Sequence, residues 1–230
     1  MNLLEALDLY CERTDPSLWS EPFNIVSSLA FVFAAWLLWR RQLPSEAWRE
    51  TRRLAVLLAL VGLCGGIFHA TGERWAQWFD AGAALLAAVV FLQRYLSRVV
   101  RARRGGIVLT VFGLLVLWRA LKSFGDLGMS GSEPYLVAWL VLASLSSWAA
   151  RKSAESLPWM LAASCLFPLA LAVRSVDLRV CSAWPVGTHA AWHVLAAFVA
   201  YLCARGLAAG CHERSGSYHG LLTSATLLQR

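Results

Sequence analysis

Residues 53–71 read RLAVLLALVGLCGGIFHAT, and how that stretch is understood decides the fold. After Arg53 no formally charged side chain interrupts it, and as a helix at 1.5 Å per residue it is about 28 Å long, close to the ~30 Å of bilayer hydrocarbon. It therefore reads as a spanning helix. Working outward, further apolar stretches of similar length occur at about residues 22–40, 75–96, 105–122, 134–150, 157–175 and 186–206. With 58% hydrophobic residues and a positive mean hydropathy, the composition lies outside that of a soluble globular domain. The expected fold is all-α, a polytopic seven-transmembrane-helix bundle. Residues 1–21 form an acidic outward leader and cap, 22–206 the helical domain, and 207–230 a loose cytoplasmic tail.

Orientation follows from the basic residues, because short basic connections resist translocation. Most of the 21 lysines and arginines fall in alternate connections and the tail: Arg40, Arg41, Arg49, Arg52 and Arg53, then Arg94, Arg98, Arg101, Arg103 and Arg104, then Arg151 and Lys152, then Arg205, Arg214 and Arg230. The first 21 positions hold Glu5, Asp8, Glu12, Asp15 and Glu21 against Arg13 alone. The N-terminus is expected outside and the C-terminus in the cytoplasm. The net charge of +7 is thus a topology signal, and with no compact basic module outside the membrane a nucleic-acid partner is not expected. Several of the 12 tryptophans, among them Trp19, Trp39, Trp75, Trp78, Trp159 and Trp184, stand near segment ends and suit interfacial belts. No basic n-region precedes the first apolar run, so no cleavable signal is expected.

Three histidines carry the chemistry. The last segment contains HAAWH, and a spacing of four places His189 and His193 on one helix face a turn apart. Segment two runs from inside to outside and leaves His69 ~4 Å below the outer surface, while His189 and His193 lie within ~5–10 Å of that surface. Three imidazoles with an open fourth position make a catalytic zinc arrangement, since the vacant site holds a water whose pKa falls to about 7. Asp80 lies inside segment three, where a carboxylate costs ~2.5–3.5 kcal/mol on insertion scales. The turn at Gly72, Glu73 and Arg74 returns it toward the depth of His69, where it can accept a proton or orient an imidazole.

Plainer readings exist for each residue. A lone histidine in an apolar segment is usually a hydrogen-bonded core residue, and paired histidines can also ligate haem. His212 and His219 are expected to be solvated tail residues, and Trp192 to be packing. The carboxylates of the leader can serve calcium, which takes crowded oxygen ligands, or can simply keep the leader outside. Cys64, Cys165 and Cys203 read as small buried residues within helices, and Cys211 faces the cytoplasm. Cys11 and Cys181 both lie in outward segments, where an oxidising compartment allows a disulfide.

In order along the chain, YCER, SEPFN, FH with Asp80 eleven residues after that histidine, VDLRVC and HAAWH resemble the alkaline ceramidase family. That family belongs to a superfamily of seven-helix membrane hydrolases that also includes the adiponectin receptors. The resemblance implies an intramembrane zinc amidase that cleaves ceramide or a related lipid amide to a fatty acid and a sphingoid base. It places zinc on His69, His189 and His193, the catalytic role on Asp80, a disulfide on Cys11 and Cys181, and calcium on the leader's Glu12 and Glu21, with Asp8 nearest the position of a further acidic ligand. Two positions of the family's calcium pattern differ, being Leu9 and Thr14 here. The family's serine four residues before the first histidine is Gly65, so Thr71 or another donor serves in its place, a reshaped pocket admits other substrates, or the amidase is weak. A seven-helix lipid receptor or binding protein with a structural zinc is the alternative. The membrane is expected to be a bacterial inner membrane or the endoplasmic reticulum.

Overall fold

The structure is a computed structural model and describes residues 2–43, 45–123, 129 and 131–227. Among these residues the chain forms seven α-helices and no strand: α1 Pro22–Trp39, α2 Ser45–Thr71, α3 Arg74–Arg94, α4 Arg104–Ser123, α5 Tyr135–Lys152, α6 Leu157–Val180 and α7 His189–Leu227. A π-helical turn, Tyr95–Val100, prolongs α3 and ends at Arg101 in the left-handed region. Six of the helices are long and apolar enough to cross a membrane. The exception is α5, whose 18 residues include Ser144, Ser146 and Ser147 and end on Arg151 and Lys152. Those three hydroxyls reach the carbonyls of Leu140, Leu142 and Ala143 one turn back, and Ser146 also reaches the carbonyl of Met160 on α6, so all three are satisfied within the protein.

The bundle is built around α7, which packs on α1, α2 and α6 and touches α3, while α4 is the most peripheral. Helix α7 also departs most from expectation. It does not stop near residue 206 but continues as helix through Leu227. Leu207, Ala208 and Cys211 are buried, and Gly210 lies against Val99 of the π turn. The apolar stripe simply outlasts the spanning run, so the tail begins as a packed helix. Its His212 is exposed as expected, while His219 lies outside the described side chains. Cys211 is buried, and Cys165 stands on the exposed face of α6.

The leader is tied down at the end of the bundle where α2 passes into α3. Leu7 donates to the carbonyl of Gly72, Arg74 to that of Glu5 and Trp75 to that of Leu3. Arg74 and Glu5 also form an ion pair at 2.7 Å. The disulfide Cys11–Cys181 joins the leader to the end of α6 across 170 residues of sequence. At the opposite end Glu50 is buried among Arg53, Arg94 and Arg98, in the basic set that the sequence assigns to one side.

Candidate metal centre

The three histidines come together. His69 is in the last turn of α2, His189 starts α7 and His193 follows one turn later, and their candidate ligand atoms lie within 4.8 Å of one another. All three are buried. No other group of three His, Cys, Asp or Glu side chains among the described residues could hold a metal ion.

Each ring is held from outside. His69 Nδ1 meets Glu21 Oε2 at 2.6 Å, and His193 Nδ1 meets Ser27 Oγ at 2.8 Å, which turns both Nε2 atoms inward. Those two Nε2 atoms stand 3.2 Å apart. Two nitrogens bound tetrahedrally at about 2.0–2.1 Å would be about 3.3 Å apart. The Nδ1 of His189 is buried with no hydrogen-bond partner, and Tyr10 stacks on that ring at 3.8 Å. Burial pushes the Tyr10 phenol pKa up, so it stays protonated. An orphaned imidazole nitrogen beside two oriented ones is a donor set that fits zinc.

The start of α7 is fixed by Asp177 of α6. Its Oδ1 accepts the N–H of Thr188 at 2.6 Å and of His189 at 2.9 Å, and its Oδ2 accepts the N–H of Cys11 at 3.1 Å. One carboxylate therefore caps α7 and holds the leader beside the disulfide. Gly187, at φ +68, closes this turn, and a Cβ there would collide with the Asp177 carboxylate and with Cys11. Only glycine combines that conformation with that space.

Asp80 is half-buried on α3. Its Oδ1 lies 3.2 Å from where a Cβ on Gly65 would sit, and Ser28 Oγ lies 3.3 Å from the same point. Gly65 is one turn before His69, on the face that carries it. Thr71 instead turns its hydroxyl to the carbonyl of Ile67, 3.0 Å away. The hydroxyl nearest the missing serine is thus Ser28, on α1. Trp192 packs between Tyr135 and Phe167, as the sequence suggests.

The leader's acidic residues are arranged differently from the calcium expectation. Glu12 accepts the N–H groups of Phe23 at 2.6 Å and Asn24 at 2.9 Å, acting as a cap for α1 from a distance. Burial raises its pKa against the pull of those two bonds. Glu21 takes the Nε of Arg13 at 2.5 Å on Oε1, and Asn24 Nδ2 and His69 Nδ1 on Oε2. Burial works to raise the pKa of Glu21, but the hydrogen bonds from His69, Asn24 and Arg13 hold it below the usual value. Asp8 is exposed. A guanidinium rather than an open set of oxygens faces Glu21, so these residues do not fit a calcium ion, which takes six to eight oxygens.

Three residues that sequence reasoning left unused thus shape the site: Asp177, Arg13 and Ser27. A second signal was available for Asp177, because a carboxylate in an apolar helix invites the same reasoning that singled out Asp80. Arg174 was likewise missed. It reaches Ser132 Oγ at 2.7 Å and lies over the Tyr135 and Trp192 rings.

A comparison with curated proteins finds no match. The Ceramidase family profile matches residues 10–220, from the leader past the last histidine of the cluster. This chain belongs to the Ceramidase family.

Proposed function

We propose that the protein is a zinc-dependent intramembrane amidase that hydrolyses ceramide or a related lipid amide to a free fatty acid and an amine. The observation that carries this reading is the cluster of three buried imidazoles, within 4.8 Å of one another, in a chain of this family. Zinc held by His69, His189 and His193 supplies Lewis acidity toward the amide carbonyl and lowers the pKa of water. Glu21 and Ser27 fix the two rings they touch. Asp80, beside α2 one turn below His69, takes the proton of the attacking water and returns it to the departing nitrogen. The apolar space between helices holds the acyl chain, and the substrate enters laterally from the bilayer. With the basic helix ends in the cytoplasm, the site lies in the outer half of the membrane.

The test is the release of free fatty acid from a panel of lipid amides by purified protein in detergent. Wild type should release it and His193→Ala should not. No release from any amide by zinc-loaded wild type would favour a lipid-binding protein with a structural zinc, the reading that Gly65 supports.

A further inference from the structure

The cation of the leader is part of the chain itself. Arg13 is buried, and its guanidinium spends all three nitrogens on oxygens: Nε on Glu21 Oε1 at 2.5 Å, Nη2 on the carbonyl of His69 at 2.9 Å and Nη1 on the carbonyl of Asp15 at 3.3 Å. A planar fork suits such a set, being more weakly hydrated than an ammonium and rigid in its donors. Gly72, at φ +65, makes room for it, and a Cβ there would collide with the guanidinium. The chain has thus built a cradle of one carboxylate and two carbonyls and filled it with its own positive charge.

We propose that Arg13 stands in for a divalent cation in the leader and acts as a positioning residue for the metal centre, so that the centre forms without calcium. Arg13 grips His69 twice, at its carbonyl and, through Glu21, at its Nδ1. Fixing both fixes the direction of Nε2. Glu12 is already engaged in the fold, each of its oxygens accepting a backbone N–H. Asn24 Oδ1 is buried without a hydrogen-bond partner, and one neutral oxygen is far short of a calcium shell. The proposal rests on the reading of His69 as a metal ligand.

The experiment uses the full chain in detergent and measures two quantities, in calcium-depleted buffer and with millimolar calcium: zinc retained against a zinc-selective chelator that does not bind calcium, and the melting temperature. For wild type, neither quantity should change between the two buffers. Arg13→Gln should weaken zinc retention by about 10- to 100-fold, the usual loss when an outer partner of a ligand is removed. Arg13→Lys should restore part of it, and millimolar methylguanidinium should restore part of it in Arg13→Ala. A simple packing role would show no such rescue. Wild type that melts lower or sheds zinc in calcium-depleted buffer and recovers with calcium would overturn the proposal, as would Arg13→Gln with unchanged zinc retention. Wild type that holds no zinc removes the metal-centre reading instead, and the calcium arm still decides whether the leader takes that ion.

Discussion

Asp177 on α6 accepts the backbone N–H of His189 through Oδ1 at 2.9 Å, so one helix's carboxylate sets where the helix carrying two of the site histidines begins. Its substitution by Ala leaves the N–H groups of Thr188, His189 and Cys11 without their acceptor. Buried donors left unpaired cost ~1–3 kcal/mol each. Asp177→Ala should lower Tm by roughly 5 °C or more and weaken zinc retention, while Asp177→Asn, which keeps an acceptor, should lose less. Equal behaviour of the two variants would deny that the cap fixes the histidine.

The Cys11–Cys181 bridge closes a long loop, which constrains the unfolded chain and contributes about 2–5 kcal/mol in typical cases. Thiol labelling of denatured, unreduced protein should modify Cys64, Cys165, Cys203 and Cys211 and spare the other two. Cys11→Ser should lower Tm and release the leader to proteolysis. Labelling of Cys11 in native membranes would show the bridge is not made.

Gly65 gives a direct handle on the weakest part of the chemistry. A serine there would bring its hydroxyl beside Asp80 and Ser28, whose oxygens lie 3.2 and 3.3 Å from the new Cβ. One added donor to developing charge is worth up to about 10²–10³ in rate. Gly65→Ser should raise kcat on a lipid amide at least tenfold with KM little changed, and Gly65→Ala, which fills the same space without a donor, should not. A matching rise in both would assign the effect to packing.

The spanning helices were legible because hydropathy and length read directly on the sequence, and the histidine cluster because antiparallel spans return residues to a common depth. Helix α5 is harder to read, since its serines lower hydropathy while bonding to carbonyls of its own helix and of α6. The end of α7 was misjudged because Leu207, Ala208 and Cys211 continue its buried stripe beyond the run that hydropathy marks. Arg13 and Glu21 could not be paired from sequence. Their partners His69 and Asn24 sit on different helices, and a lone base in an acidic leader gives no hint of which carboxylate it meets.

The proposed chemistry depends above all on His69, His189 and His193 sharing one ion. Its most direct test is the zinc content of purified wild type and of the three single alanine variants by mass spectrometry, with folding checked by gel filtration. About one zinc per chain in wild type, falling sharply in each folded variant, is the predicted result. Full zinc in the variants, or a folded wild type that takes up none, would contradict it.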